Sequence, residues 1–354
     1  MVADLNDNRG EQTGGEAGRL AGEKVPDYIY ADFKKAFMIY PRLSRPDRCT
    51  PGLNDGGCAS VVQWSREALA VYPDDPTFKW FATDGREGMP PPFLSDAFSH
   101  AGYVTFRDSW RTNAVWGFFD AGADHWRGWH SHEDALNVLL SAYGRNMLVE
   151  PGNYRYDTSE MRKYVITTPS HNTILVDGKG QCRKVLGRKR DFSMDWTSDY
   201  VFRTAPGLDY ACCTYADGYG EKAELQGVSH RRTVVFVKRS PLLKPFFVVI
   251  DRLTATDGKP HAFETLWHLD GGKLAITGNR FVDDFGGGVT LTGVSSDPAA
   301  FVDRKGTKNP LQGWMPIWDE SKEHEHRPVP TPVQAGTFSG SRRFVTFLQP
   351  NERG

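Results

Sequence analysis

Apolar positions recur with two different periods along this chain, and the change falls near Phe98. From Pro26 onward, Ala31-Asp32-Phe33-Lys34-Lys35-Ala36-Phe37 places Phe33, Phe37 and Tyr40 on one face, the spacing of an amphipathic helix. Pro41 and the stretch from Pro46 to Pro51 end it. A Gly-rich turn, Leu53-Asn54-Asp55-Gly56-Gly57, leads into a second helical stretch from Ala59 to Tyr72. Pro73-Asp74-Asp75-Pro76 stops that helix, and Phe78-Lys79-Trp80-Phe81 starts a third. Two or three such helices bury little by themselves and need a partner surface.

Beyond Phe98 the pattern becomes strand-like. Residues 103–107, 114–120, 136–142 and 146–150 are rich in β-formers, the last two joined at Tyr143-Gly144-Arg145. Arg231 to Val237 and Pro245 to Ile250 predict another hairpin, and His261 to Leu269, Arg280 to Val282 and Arg343 to Leu348 predict further strands. Short strands divided by Gly, Pro and Asp turns predict a mainly β fold: an antiparallel β-sandwich preceded by a short α-helical segment. Alternating βαβ units are not expected, and no fixed-period repeat is present. The expected organisation is a disordered tail over 1–24, a helical segment over 25–95 and a sandwich over 96–354. The tail is polar and Gly-rich and has no apolar run of the kind a secretory signal needs.

Composition narrows the function. Lys and Arg total 43 against 44 Asp and Glu, so no overall field draws nucleic acid or an anionic membrane, and neither is expected as a partner. No apolar run approaches the roughly 18 residues of a membrane span. The five cysteines, Cys49, Cys58, Cys182, Cys212 and Cys213, include no CxxC pair, which excludes a zinc ribbon. Cys212-Cys213 is expected in a strand with at least one thiol buried.

Candidate chemistry concentrates between Asp120 and Gln181. Trp129-His130-Ser131-His132-Glu133-Asp134 is followed by Glu150-Pro151-Gly152-Asn153-Tyr154-Arg155-Tyr156 and then Ser170-His171-Asn172-Thr173. In extended chain His130 and His132 point to one side, and two imidazoles with a carboxylate are a zinc ligand set. If the hairpin turns about Gly144, residue 138 faces 150 and residue 132 faces 156. His132, Glu150 and Tyr156 then share a face, an outcome that a one-residue slip would reverse.

These three segments, in this order, resemble the heparinase II/III-like family, which includes alginate and glycosaminoglycan lyases. The resemblance rests on HxHxD at 130–134, EPGNYRY at 150–156 and SHNTILVDG at 170–178, and is specific over residues 98 to 181. It implies a β-sandwich behind an α/α toroid, with the helical segment as the toroid's last helices. It also implies β-elimination on an acidic, uronic-acid polysaccharide. Under the resemblance His130 matches the catalytic histidine, and His132, Glu150 and His171 match the ligands of a structural zinc. Many relatives carry Asp where Glu150 stands. Tyr154, Tyr156 and Tyr164 all compete for the role of the sandwich tyrosine, with Tyr156 preferred from the assumed register.

Trp126, Arg127 and Trp129 are candidates to hold a sugar by stacking and charge. The basic run Arg183, Lys184, Arg188, Lys189 and Arg190 reads as a solvated loop, and His324-x-His326 as loop without a carboxylate motif after it. The toroid's Asn-His pair is not found before the sandwich. The expectation is therefore a truncated or partial lyase with little activity by itself, periplasmic or secreted by family resemblance. The alternative is a sandwich that binds carbohydrate or a protein partner without catalysis; a third idea is a zinc hydrolase. The sequence is silent on oligomeric state and on the identity of the polysaccharide.

Overall fold

Helices α1 (Asp27–Phe37), α2 (Ile39–Leu43), α3 (Val61–Val71) and α4 (Pro76–Ala82) come first in the computed structural model. It describes residues 26–99, 101–122, 130–182, 199–317 and 325–353. The expected tail, the Trp126, Arg127 and Trp129 cluster, the basic run from Arg183 to Arg190 and His324 lie outside the described residues. Local chemistry starts the helices where the sequence indicates. The Ser60 hydroxyl accepts from Gln63 N–H at the head of α3, and the Asp75 carboxylate accepts from Thr77 and Phe78 ahead of Pro76 in α4. Their apolar faces close on Phe37, Ala68 and Phe78, and on Tyr40, Val61, Phe81 and Trp110.

Strands β1 (Asp96–Phe98), β2 (Tyr103–Arg107), β3 (Trp116–Asp120), β4 (Val138–Ala142) and β5 (Arg145–Leu148) form an antiparallel sheet in chain order. Every residue of β3 is buried. Phe119 faces the sandwich core, whereas Trp116 and Phe118 pack on Leu43 and Leu53 of the helical segment. This sheet is thus a middle layer, which is why its strands read as unbroken apolar runs. Arg107 pins the helices to it: the buried guanidinium donates to the carbonyls of Arg42 and Ser44 and stacks 3.8 Å from the Trp110 ring centroid.

After helix α5 (Glu160–Val165) come β6 (Ile174–Val176), β7 (Val201–Thr204), β8 (Leu208–Tyr215), β9 (Val228–Val237) and β10 (Phe246–Ala255). Then follow β11 (His261–Leu266), β12 (Ala275–Thr277), β13 (Arg280–Asp284), β14 (Val289–Ser295) and β15 (Phe301–Asp303). The last are β16 (Thr307–Lys308), β17 (Leu311–Gln312), β18 (Trp314–Pro316), β19 (His326–Pro328), β20 (Pro332–Phe338) and β21 (Ser341–Glu352). An eight-stranded sheet runs β12-β13-β14-β21-β10-β9-β8-β7, and a four-stranded one β15-β20-β11-β6. All the paired strands are antiparallel, as the sandwich expectation required. Phe106, Phe236 and Phe247 meet between the first two sheets, with ring centroids 4.6 to 6.3 Å apart.

One inward position of β9 is a charge. Arg232 is wholly buried and pairs with Asp251, directly opposite on β10. It also donates to the carbonyls of Leu136 (2.8 Å) and Asn172 (2.6 Å). A buried guanidinium is tolerable only with its donors satisfied in this way. The two carbonyls belong to the loops that carry the candidate chemistry, so the core of the second sheet holds those loops in place.

Two sequence expectations need correction. The β4–β5 hairpin pairs Ala142 with Arg145 and Ser141 with Asn146, turning on Tyr143 and Gly144, both at positive φ. A bulge then shifts the register so that Leu140 faces Leu148, as assumed, but β5 ends there and continues toward Leu269. Residues 132 and 156 are therefore not strand partners. His326, expected in a loop, opens β19 against Pro316. No described helix is long and apolar enough to cross a membrane.

Candidate active site and metal centre

The site forms where the helical segment meets the loop before β4. The turn at Leu53-Asn54-Asp55-Gly56 is tight: Gly56 N–H donates to Leu53 O at 2.9 Å, and a Cβ on Gly56 would lie 2.7 Å from that oxygen. Asn54 sits at φ 52° and accepts the backbone N–H of His132 on its side-chain oxygen (3.0 Å). Asp55 then reaches two imidazoles at once. One oxygen lies 3.1 Å from His130 Nδ1 and the other 3.1 Å from His132 Nε2.

Arg162 on α5 closes the same carboxylate from the other side, with bonds of 2.5 and 2.8 Å. Burial would raise the pKa of Asp55, but hydrogen bonds from His132 and Arg162 outweigh it and hold the carboxyl well below its usual range. Asp55 is thus a fixed anion between three cation-forming side chains.

His130 and Tyr156 meet at the surface. The tyrosine hydroxyl is 3.2 Å from His130 Nδ1, and Tyr156 is 65% exposed, so it is no packed strand-end residue. Arg162 lies over its ring at 5.1 Å. Partial burial and the neighbouring Asp55 raise the phenol's pKa, with Arg162 pulling the other way. The other two tyrosines face elsewhere. Tyr164 is buried beside His268 and Trp314, and Tyr154 packs against His326.

Behind this pair lies a buried group of potential metal ligands. His132, Asp134, Glu150 and His171 each offer a donor atom, and those atoms lie within 4.8 Å of one another. His132 Nδ1 is 4.0 Å from Glu150 Oε1, which is 3.1 Å from His171 Nδ1. Among the described residues neither His132 Nδ1 nor His171 Nε2 finds a hydrogen-bond partner, an omission that is costly for buried polar atoms. With Nε2 of His132 committed to Asp55, Nδ1 has its lone pair directed at the group, the usual arrangement of a carboxylate-supported metal histidine. Asp120 is buried beside the group, where burial and the nearby Asp134 push its pKa well up and favour the neutral acid. Two imidazoles and two buried carboxylates fit a tetrahedral divalent cation such as zinc.

Asparagines hold the ligand-bearing segments in register. Asn137 donates to Glu150 Oε2 at 2.5 Å and accepts from Asn172 N–H. Asn172 in turn donates to the carbonyls of Val138 and Val149, joining the loop after His171 to the ends of β4 and β5. Leu136 adopts a left-handed conformation (φ 66°) that is unfavourable for its side chain. Its N–H bond to Asp120 O and its carbonyl bond from Arg232 hold it there.

Of the sequence candidates, the structure brings together His132, Glu150 and His171 as one group, and His130 and Tyr156 as another. Sequence reasoning assigned no site role to Asn54, Asp55 or Arg162. It noticed the Asn54-Asp55 turn only as a turn, because its partners lie 75 to 107 residues away. Asp134 stood inside the quoted HxHxD segment without being assigned as a ligand.

The family model described as heparinase II/III-like, C-terminal, matches residues 90–318. A heparin-sulfate lyase of Bacteroides stercoris is 26% identical over 240 residues, 66% of this chain and 32% of the relative. A heparin-sulfate lyase of Pedobacter heparinus is 28% identical over 250 residues, 67% of this chain and 34% of the relative. The chain spans about a third of the length of these curated relatives. A solved heparan sulfate lyase from Pedobacter heparinus superposes with a TM-score of 0.77 at 22% identity, covering 96% of this chain and 50% of that one. A heparinase III structure gives a TM-score of 0.75 at 15% identity, covering 96% and 51%. At these identities the structural likeness speaks for the fold alone.

Proposed function

The chain belongs to the heparinase II/III-like family through its C-terminal domain, and on that premise we propose that it serves a polysaccharide lyase, cleaving an acidic uronic-acid polysaccharide by β-elimination. The observation that carries this reading is the His130–Tyr156 pair, exposed, 3.2 Å apart and seated on the Asp55 anion. β-Elimination removes the weakly acidic proton at C5 of a uronic acid and breaks the C4–oxygen bond, so it needs a base for that proton and a proton donor for the departing oxygen. Asp55 accepts from His130 Nδ1–H, which leaves the Nε2 lone pair free to take a proton. Tyr156, with its pKa raised, keeps its proton and can give it to the departing oxygen. The heparin-sulfate lyases among the relatives favour a sulfated uronic-acid polymer as substrate.

We assign zinc to the buried group, with His132, Glu150 and His171 as ligands and Asp134 available to complete the set. Bound there, the ion would neutralise the buried carboxylates and fix the loop that carries His130, a structural contribution. His130 and Tyr156 carry the proton transfers. A periplasmic or secreted location agrees with an extracellular polymer as substrate.

The test follows the absorbance of the unsaturated product on heparan sulfate and alginate, for the parent chain and for His130→Ala. Turnover that vanishes with His130 supports the lyase. Turnover unaffected by the substitution overturns the assigned site.

A further inference from the structure

We propose that Cys49 and Cys58 are a disulfide-forming pair whose closure staples the loop that carries Asn54 and Asp55 into the site. Both thiols are free here, Cys58 exposed and Cys49 half-buried. The backbone brings them together. Thr50 N–H donates to Ala59 O at 3.0 Å and Val61 N–H to Arg48 O at 2.9 Å, which makes Cys49 and Ser60 an antiparallel pair. The bonds flank that pair rather than join it, so this is the close, non-hydrogen-bonded position, where side chains approach most nearly. Side chains alternate along extended chain, so Cys58 lies on the same face as Ser60 and diagonal to Cys49.

A second observation is independent of the register. Arg45, held on Asp47 by two bonds, points its Nη2 at Cys58 Sγ from 3.6 Å. The same guanidinium acts on Cys49: burial raises that thiol's pKa, and Arg45 lowers it. Both sulfurs therefore border one side chain, and closure requires that Arg45 swing aside and that the exposed loop end at Cys58 shift to bring the diagonal pair within disulfide reach. Between the two cysteines lie Asn54, which holds the His132 backbone, and Asp55, which holds both imidazoles and Arg162. A covalent link across the base of this loop removes much of its freedom to leave the site.

The chemistry is thiol–disulfide exchange with a small-molecule disulfide such as oxidised glutathione. Cys58, as thiolate, attacks one glutathione sulfur and releases the first reduced glutathione. Cys49, as thiolate, then attacks the Cys58 sulfur of the mixed disulfide and releases the second. The two protein thiols lose two protons and two electrons, and the oxidant takes up both.

Mass mapping after treatment with excess oxidised glutathione tests the pair in the folded chain. Cleavage after Arg48 and Arg66 puts both cysteines in one peptide. The expected product is that peptide lighter by two hydrogen atoms and inert to iodoacetamide. A peptide carrying two alkyl groups, or glutathione adducts alone, overturns the pairing. Hydrogen exchange tests the stapling: amides between residues 51 and 57 should exchange roughly tenfold more slowly in the oxidised chain, with no change in Cys58→Ser given the same oxidant. Equal exchange in the oxidised and reduced parent overturns that role, whatever the fate of the lyase reading.

Discussion

The Asp55 carboxylate and the Arg162 guanidinium are joined by two hydrogen bonds, 2.5 and 2.8 Å long, with both side chains buried. One partner comes from the helical segment and the other from the loop region of the sandwich, 107 residues apart. The contact therefore ties the two parts of the fold together at the site. Asp55→Asn keeps the shape but leaves Arg162 as an uncompensated buried charge, which costs about 3–5 kcal/mol. It also removes the anion that orients His132, and zinc affinity should fall about 10- to 100-fold. Urea unfolding and zinc competition against a chelating dye read the two effects. A variant as stable and as zinc-avid as the parent would show that the carboxylate organises nothing.

Zinc assignment makes its own demand. The parent chain purified without chelator should carry about one zinc per chain, read by atomic absorption, and His132→Ala, Glu150→Gln and His171→Ala should each lose most of it. Because a bound ion would offset the buried carboxylates, chelation should lower the melting temperature of the parent and leave the metal-free variants where they are. A parent that melts at one temperature with and without chelator would remove the structural role.

The surface pair should separate activity from stability. Tyr156 is largely exposed and His130 nearly half so, so Tyr156→Phe and His130→Ala remove proton transfer without opening the core. In whatever form of the protein shows lyase turnover, each should lower kcat by about 10²- to 10⁴-fold. Their melting temperatures and zinc content should stay at parental values. Lost turnover accompanied by lost zinc would mean that these residues act through the metal centre instead.

How much of this was legible beforehand depends on the range of the interaction. The β9–β10 hairpin and the short helices follow from local periodicity and stand where the pattern put them, except that a short helix, α2, runs through Pro41, where the sequence expected the helical pattern to end. The grouping of His132, Glu150 and His171 was also reached, although its strand-register argument was unsound. A bulge and the end of β5 at Leu148 take the chain away from the assumed ladder, and Asn137 and Asn172 complete the register instead. Asp55 and Arg162 were out of reach because nothing in an Asn-Asp-Gly turn or a six-residue helix specifies a partner dozens of residues away. Arg232 was read only as part of a hairpin strand, and its charge is neutralised only once β10 supplies Asp251.

Asp283 offers a test of core electrostatics remote from the site. Its side chain is buried on β13, with one oxygen accepting from the N–H groups of Lys273 and Asp284. The other oxygen makes no hydrogen bond among the described residues, and Gly271 lies so close that a Cβ there would collide with it. Burial raises its pKa from 3.8 to about 6, against the lowering effect of the two backbone bonds. The folded state therefore binds a proton that the unfolded state releases, so stability falls as pH rises from about 4 to about 6 and the full penalty remains above that window. Asp283→Asn removes the charge while keeping an oxygen for the two N–H groups. The variant should be more stable than the parent at pH 7 by roughly 1–2 kcal/mol, after allowance for screening, with the advantage shrinking toward pH 4. Denaturant midpoints for both proteins at several pH values check this, and an advantage that grows as pH falls would reverse the assigned sign.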